Sequence, residues 1–278
     1  MEINLSQLQK LVTQALVEDI GHGDLTTDNL FSHDIQAKGY FLAKDDGIIA
    51  GLTVAETVFK TLSPNIAWEE IVKDGDKVQN GMKLVYISGS LPAILTGERV
   101  ALNFLQRLSG IATKTHSYVK KVKGYPVRIV DTRKTAPGLR ILDKYAVRVG
   151  GGSNHRFGLY DAVMLKDNHL KAAGSITKAI SILKEKLPFT IKIEVETEDL
   201  KMVQEALDNK VDIIMLDNMS PEMMVKAVEL VKDQAIIEAS GGITLDSIKE
   251  IAATGVNIIS VGDLTHSVKA LDISLELS

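Results

Sequence analysis

The sequence predicts an α/β fold whose second half is a partial or irregular (β/α) barrel. After Gly124, short apolar runs alternate with helical patterns, which is typical of parallel strands covered by helices. Six such strands are predicted, too few for a complete eight-stranded barrel. None of them is followed by a glycine-rich dinucleotide-binding fingerprint, and this favours a barrel over a doubly wound sheet.

The first half of the chain has a different pattern of apolar residues and turns. Residues 5–18 carry apolar side chains at helical spacing, and GHGDLTT ends that helix. From about Lys38 to Ser90, short β-like runs are separated by glycine and aspartate turns. GERVALNFLQRLSGIATKTHSYVKKV then predicts one long helix, which leads into the second half.

The repeating part can be divided into individual elements. The predicted strands are VRIVD (127–131), DAVMLK (161–166), TIKIEVE (190–196), VDIIMLD (211–217), AIIEAS (235–240) and NIISVG (257–262). The predicted helices are SITKAISILKEK, DLKMVQEALDN, SPEMMVKAVELVKD and TLDSIKEIAATG. Ser220 is a favourable N-cap with Pro221 at the first helical position, Thr244 is a second candidate cap, and Gly255 is a candidate terminator.

Composition excludes several classes of function. A pI near 5.9 and 5% aromatic residues argue against a nucleic-acid binder. The absence of cysteine excludes disulfides, thiolate metal sites and cysteine nucleophiles, and it fits a reducing cytoplasm. The start, MEINLSQLQK, does not have the pattern of a signal peptide, and no apolar run is long enough for a membrane span.

Charge is segregated along the chain. Residues 131–171 contain eight Lys/Arg and four Asp, a balance of +4 in a protein of net charge −4. The remainder is therefore −8, and a basic segment in an acidic protein suggests an anionic target.

Polar or glycine-rich residues follow every predicted barrel strand, and in this architecture the carboxyl ends of strands build the active site. Cations, carboxylates and two loops of phosphate-binding type (SGG 240–242 and VGD 261–263) would meet there. This mixture suits an anionic substrate together with a phosphorylated sugar carried with Mg²⁺.

The sequence resembles the quinolinate phosphoribosyltransferase family along nearly its whole length. The resemblance is carried by EDIGHGDLTT (18–27), TGERVALNFLQRLSGIAT (96–113), DTRKTAPGLR (131–140), KYAVRVGGGSNHRFGLYDAVMLKDNH (144–169), IEVE (193–196), IIMLDN (213–218), EASGGI (238–243) and ISVGDLTHS (259–267). It implies an N-terminal α/β sandwich domain joined to an open, incomplete (β/α) barrel of about six strands. We place the first domain at 1–110 and the barrel at 111–265, with residues 266–278 packing back on the first.

The resemblance also implies an activity. The family couples quinolinate to phosphoribosyl pyrophosphate (PRPP), with Mg²⁺ and no organic cofactor, giving nicotinate mononucleotide, pyrophosphate and CO₂ for NAD biosynthesis. The implied binding residues for quinolinate and PRPP are Arg99, Thr132, Arg133, Lys134, Asn154, His155, Arg156 and Lys166. Arg133, His155 and Arg156 hold the carboxylates, and Lys134 and Lys166 lie where carboxylates and pyrophosphate meet.

Further roles follow from the same resemblance. Glu196 and Asp217 face the ribose and the Mg²⁺, directly or through water, and Ser240, Gly241, Gly242, Ser260, Val261 and Gly262 hold the 5′-phosphate. Arg99 completes the site of the neighbouring subunit in a homodimer, and no nucleic acid or membrane is a partner. Glu194 is as much a structural partner of the basic cluster as a functional residue.

Two alternatives stay open from the sequence. One is a related pyrophosphorylase-like homologue with another substrate, although the complete basic set argues against it. The other is a non-catalytic metabolite-binding or regulatory protein. Intact Glu196 and Asp217 weigh against that interpretation, because an anion sensor gains little from acids at the mouth.

Overall fold

The computed structural model describes residues 3–278, which form two compact units. The first unit is the chain up to His116 with Thr135–Gly151 and Leu264–Ser278, and the second is Ser117–Lys134 with Gly152–Asp263. Within the described residues, no helix is both long enough and apolar enough to cross a membrane.

The first unit is built around a four-stranded antiparallel sheet of order β12-β1-β5-β3. Its elements are α1 (Leu5–Ile20), α2 (Thr27–Leu30), β1 (Gln36–Ala43), β2 (Gly47–Ile48), α3 (Leu52–Leu62), β3 (Ala67–Glu70), β4 (Lys77–Val78), β5 (Lys83–Ser90), α5 (Arg140–Val149) and β12 (Ile273–Leu277). Two further helices, the long α4 (Leu91–Lys121) and the short α11 (Asp263–His266), lead into and out of the second unit along the chain. The predicted first and long helices are therefore present.

An aromatic cluster fills the core beneath this sheet. The ring centroid of Phe41 lies 6.0 Å from that of Phe59 and 5.3 Å from that of Trp68, both in edge-on geometry. Phe41 and Phe59 are fully buried, so a strand and a helix share one apolar interior. The C-terminal β12 pairs antiparallel with β1 and completes the sheet.

Residues 135–151 lie in the first unit, whereas the sequence predicts them to belong to the barrel domain. Arg107 of α4 donates two hydrogen bonds, at 2.9 and 2.8 Å, to the fully buried carboxylate of Asp143 in α5. The Tyr145 hydroxyl donates to Asp74 Oδ2 at 2.6 Å. These contacts attach α5 to the first unit, and the order of elements along the chain gives no sign of them.

The second unit is a six-stranded parallel sheet of order β6-β11-β10-β9-β8-β7 that does not close. The strands and the helices between them are β6 (Arg128–Val130), β7 (Val163–Leu165), α6 (Asp167–Ala173), α7 (Ile176–Lys186), β8 (Ile193–Thr197), α8 (Leu200–Asp208), β9 (Ile213–Asp217), α9 (Pro221–Val231), β10 (Ile236–Ser240), α10 (Ile248–Ala253) and β11 (Ile258–Ser260). The predicted α/β class, with an open barrel of six strands, is confirmed.

Capping side chains set where the covering helices begin. Ser175, Asp199 and Ser220 each accept a hydrogen bond from the backbone amide three residues later. Thr244 does not cap a helix directly. It forms a hydrogen-bonded turn with Ser247, and α10 begins at Ile248.

Candidate active site

Polar side chains collect where the strands of the second unit end. Lys166 directly follows β7, Glu196 lies near the end of β8, and Asp217 and Ser240 are the last residues of β9 and β10. Ser240 and Asp217 are register partners on neighbouring strands. Because all six strands are parallel, these residues lie along one edge of the sheet, where such architectures build their active sites.

Lys166 and Glu196 form an ion pair across β7 and β8. The distance from Lys166 Nζ to Glu196 Oε2 is 2.5 Å, and the lysine side chain remains 46% exposed. The backbone amide of Lys166 donates to His169 Nδ1 at 3.0 Å, which caps α6 and fixes the start of the lysine side chain. The carboxylate of Glu196 and the ammonium group of Lys166 therefore lie together at this edge of the sheet.

The buried Asp131 anchors the loop that carries His155. Its Oδ2 accepts a hydrogen bond from Asn154 Nδ2 at 2.5 Å, and its Oδ1 accepts one from the His155 backbone amide at 2.9 Å. Thr132 Oγ1 accepts from the backbone amide of Lys134 at 3.0 Å and shapes the turn after β6. Thr132 and Asn154 thus serve the local structure of the two loops.

Arg156 is held against β7, where the positive charge of Arg133 also acts on it. Its Nη1 donates to the Ala162 carbonyl at 2.9 Å, and its Nη2 lies 3.6 Å from Met164 Sδ. Burial, and then the positive charge of Arg133, lower the pKa of Arg156. Two neighbouring guanidiniums repel each other, and a bound anion would relieve that repulsion.

The loop after β10 requires glycine. Gly241 has φ +95°, and a Cβ there would lie 2.2 Å from Asn218 Oδ1. Gly242 has φ +60° with open space around it. In the loop after β11, the Val261 amide donates to the Val130 carbonyl at 2.9 Å and extends the sheet, so this N–H is engaged within the protein.

His155 sits above two buried carboxylates. Its Nε2 lies 3.3 Å from Glu194 Oε2 and 3.2 Å from Glu238 Oε2, and both glutamates are at most 1% exposed. Among residues 3–278, these three form the group of histidine and acidic side chains whose donor atoms lie close enough together, within 4.8 Å, to hold a metal ion.

Comparison with known proteins decides the family. A family model described as "Quinolinate phosphoribosyl transferase, N-terminal domain" matches residues 24–109. A second model, described as "Quinolinate phosphoribosyl transferase, C-terminal domain", matches residues 111–276. The chain belongs to the quinolinate phosphoribosyltransferase family.

Individual members of the family are similar to this chain over nearly their whole lengths. A probable nicotinate-nucleotide pyrophosphorylase [carboxylating] of Synechocystis is 48% identical over 95% of this chain and 90% of its own. The one from Bacillus subtilis is 45% identical over 99% and 95%. The crystal structure of NadC from Streptococcus pyogenes superposes with a TM-score of 0.96 at 44% identity, covering 100% of this chain and 99% of that one.

In this member of the quinolinate phosphoribosyltransferase family, the basic segment is divided between the two units. Arg133, Lys134, Arg156, Lys166 and Lys171 lie in the second unit, whereas Arg140, Lys144 and Arg148 lie in the first. Lys171 forms an exposed ion pair with Asp167 at 3.0 Å. Arg99 is exposed on α4 in the first unit.

Two acidic residues of this site are not predicted from the sequence. Asp131 ends a predicted strand and Glu238 lies within another, and neither was singled out. Glu238 could have been found from its neighbours in the sequence, Ile237 and Ala239. An acid inside an apolar strand needs a hydrogen-bonding or charged partner, so its position indicates a contact with another polar group.

A concave surface at the opposite edge of the sheet has a structural explanation. Asp212 Oδ2 accepts from the Ile193 amide, and Asn257 Oδ1 accepts from the Ile237 amide, at 2.9 and 2.8 Å. These side chains complete backbone hydrogen bonds at the starts of the strands, at the edge opposite to Lys166 and Glu196.

Proposed function

We propose that this protein transfers the phosphoribosyl group of PRPP to quinolinate with loss of CO₂, giving nicotinate mononucleotide and pyrophosphate for NAD biosynthesis. Membership of the family supports the reaction. The observation that carries the assignment is the meeting of the Lys166–Glu196 pair, Asp217 and the glycine loop of Gly241 at one sheet edge. Such an edge can receive both an anion and a sugar phosphate.

The cationic side chains bind different parts of the two substrates. Arg133 and Arg156 bind the quinolinate carboxylates, since two adjacent guanidiniums suit a planar dicarboxylate. Lys134 and Lys166 stabilise the negative charge that develops on the departing pyrophosphate. The backbone around Gly241 and Gly242 holds the 5′-phosphate, and Ser260 and Gly262 lie at the end of the neighbouring strand.

Glu196 and Asp217 fit a Mg²⁺ ion, because hard cations of this kind prefer carboxylate oxygens. Glu196 is half-buried beside Lys166, and Asp217 Oδ2 accepts a neutral amide hydrogen bond, from Asn218 at 2.8 Å. When bound, Mg²⁺ would neutralise part of the charge of the pyrophosphate group. The same two carboxylates would face the ribose hydroxyls.

The protein contributes mainly positioning and electrostatics. Departure of pyrophosphate leaves a ribosyl centre with cationic character, which the carboxylates stabilise. The ring nitrogen of quinolinate attacks that centre and becomes a pyridinium. CO₂ then leaves from C2, because the adjacent positive nitrogen stabilises the electron pair left behind, and a proton takes its place.

A homodimer is part of the proposal, with Arg99 of each subunit completing the site of the other. The exposure of Arg99 on α4 is compatible with this role. Arg99→Ala and Lys166→Ala variants, each inactive alone, would test it after subunit mixing. Recovery of about one quarter of the wild-type sites is expected from random exchange between two-fold dimers. No recovery despite demonstrated exchange would contradict a shared site.

The cytoplasmic location expected from the sequence also stays a prediction.

The experiment that tests the function is a product assay. The protein is mixed with quinolinate, PRPP and Mg²⁺, and CO₂ and nicotinate mononucleotide are followed, with nicotinate as a parallel substrate. Product from quinolinate alone is expected, because a second carboxylate occupies the basic pocket. Quinolinate binding without turnover would favour a regulatory protein, and product from nicotinate would overturn the assignment of the basic residues.

A further inference from the structure

The imidazole of His155 is surrounded by protein groups at both ring nitrogens. Nε2 faces Glu194 Oε2 at 3.3 Å and Glu238 Oε2 at 3.2 Å. Nδ1 accepts a hydrogen bond from the backbone amide of Arg156 at 2.7 Å. The resemblance to the family implies that His155 holds a substrate carboxylate, but in this geometry its polar atoms are directed at the protein.

Nε2 carries a proton whichever charge the ring has. Burial lowers the pKa of His155, but its contacts with the carboxylates of Glu194 and Glu238 outweigh burial and raise that pKa to about 10. The Arg156 N–H directed at Nδ1 favours the neutral ring instead, because a protonated Nδ1 cannot accept a hydrogen bond. In both forms Nε2–H is a donor that faces the two carboxylates, so the orientation of the ring is the same.

The two glutamates have different contacts with that proton. Glu238 Oε1 and Oε2 and Glu194 Oε1 are buried without a hydrogen-bond partner, which leaves Glu194 Oε2 as the carboxylate oxygen that has one. Glu194 is therefore the acceptor, and Glu238 adds negative charge on the other side of the ring. Burying such oxygens is unfavourable, so the arrangement has a cost that stability alone does not explain.

His155 is in turn connected to Arg156. It holds the Arg156 backbone through Nδ1, and the charge of Glu194 opposes the lowering of the Arg156 pKa by burial and by Arg133. The backbone amide of His155 is itself tied to Asp131. Glu194, His155 and Arg156 thus form a continuous chain of contacts from the sheet interior to the pocket.

We propose that Glu194 and Glu238 are positioning residues that fix the His155 ring through its Nε2–H, and that the fixed ring in turn positions Arg156. The proposal rests on the quinolinate-binding role given to Arg156 above. It also assigns a purpose to two buried acids that lie beneath the catalytic edge.

The test combines kinetics with histidine NMR. Glu194→Leu removes the acceptor and is expected to lower kcat/KM for quinolinate about 30-fold, chiefly through KM, because the guanidinium is displaced. Glu194→Gln retains a carbonyl acceptor and should stay within about threefold of wild type, as should the exposed control Glu229→Leu on α9. The KM for PRPP should change little in all of them.

A double-mutant cycle separates the two roles of His155. If Glu194 acts only through His155, the Glu194→Leu/His155→Ala protein is no worse than His155→Ala alone, within about twofold. Multiplied effects, or a Glu194→Leu protein with normal kinetics, would overturn the proposal. Thermal unfolding of each variant shows whether it is folded.

NMR spectra of protein labelled with ¹⁵N-histidine report the protonation of His155 Nε2 without any substrate. They therefore separate failure of this proposal from failure of the proposed function. A protonated Nε2 is expected in the free protein and should stay unchanged when quinolinate is added. An unprotonated Nε2, or a large change at His155 on adding quinolinate, would refute the proposal. So would a stoichiometric metal ion retained by the purified protein, because the group would then be a metal site.

Discussion

Lys166 Nζ and Glu196 Oε2, at 2.5 Å, join the ends of two neighbouring parallel strands. The pair lies at the sheet edge and is partly exposed, so its Coulomb energy contributes little to folding, about 0–1 kcal/mol. Its position matters in another way, because the lysine side chain remains 46% exposed at the edge where the proposed substrates bind.

Lys166→Ala should therefore separate activity from stability. We expect kcat/KM to fall by roughly 100-fold or more, as when one group that stabilises developing negative charge is removed. The free energy of unfolding should change by no more than about 1 kcal/mol. Steady-state kinetics and urea unfolding measure the two. Lys171→Ala is the control, since it removes another exposed ion pair, with Asp167, and should leave turnover unchanged. Near-normal turnover of Lys166→Ala would contradict the role.

Asp131→Asn should weaken both the fold and the site. Asp131 is fully buried and accepts two hydrogen bonds, from the Asn154 side chain and the His155 amide. An asparagine can accept only one of them and leaves two donors facing each other, at a cost of about 1–3 kcal/mol. Because the loop carries His155 and Arg156, kcat/KM should fall roughly 10- to 100-fold.

Asp161→Asn is the matched control for that variant. Asp161 is an exposed acid on the same segment and accepts one backbone hydrogen bond, from Phe157 at 2.8 Å. Its substitution should change stability by no more than about 0.5 kcal/mol. Equal losses in the two variants would mean that the segment tolerates neither change and that Asp131 has no special role.

The sequence predicts the barrel well for a physical reason. Strands of a parallel sheet covered by helices are rich in apolar residues, so VDIIMLD is visible as a short hydrophobic run and TIKIEVE by its alternating Ile191, Ile193 and Val195. Their polar last residues, such as Glu196 and Asp217, are visible for the same reason. The capping residues Ser175, Asp199 and Ser220 act over three residues, which is also a local signal.

Long-range contacts were not predictable in the same way. Arg107 and Asp143 are far apart in the chain, and nothing local to Asp143 indicates that a buried arginine contact attaches α5 to the first unit. Glu238 shows a polar residue in a strand, but its nearness to His155 depends on the sheet order, with β9 between β8 and β10. The positions of individual side chains within the site therefore needed the structure.

Gly241→Ala should disable the phosphate loop. The new Cβ would meet Asn218 Oδ1 at 2.2 Å, in a backbone with φ +95°. The positive φ alone costs about 1–2 kcal/mol, and the collision must displace Asn218 in addition. We expect a fall in the free energy of unfolding larger than that range and a raised KM for PRPP, measured by urea unfolding and steady-state kinetics.

Gly124→Ala isolates the contribution of the backbone. Gly124 has φ +100°, and a Cβ at this position would meet no other atom within 4 Å. This variant should lose about 1–2 kcal/mol of stability and retain its KM for PRPP. A Gly241→Ala protein that behaves no differently from Gly124→Ala would show that the contact with Asn218 is unimportant.

Tyr118 should make the protein sensitive to alkaline pH. Burial, and then the negative charge of Asp263 at 3.3 Å from the hydroxyl, raise the pKa of Tyr118 to about 12 from an ordinary value of 10.0. The unfolded chain therefore ionises this tyrosine near pH 10 while the folded protein keeps it neutral. Stability present below pH 10 is lost as the pH rises from 10 towards 12. Urea unfolding measured across that range should show a steeper decline for wild type than for Tyr118→Phe, which has no hydroxyl to ionise. Parallel declines in the two proteins would show that the Tyr118–Asp263 contact does not hold the proton.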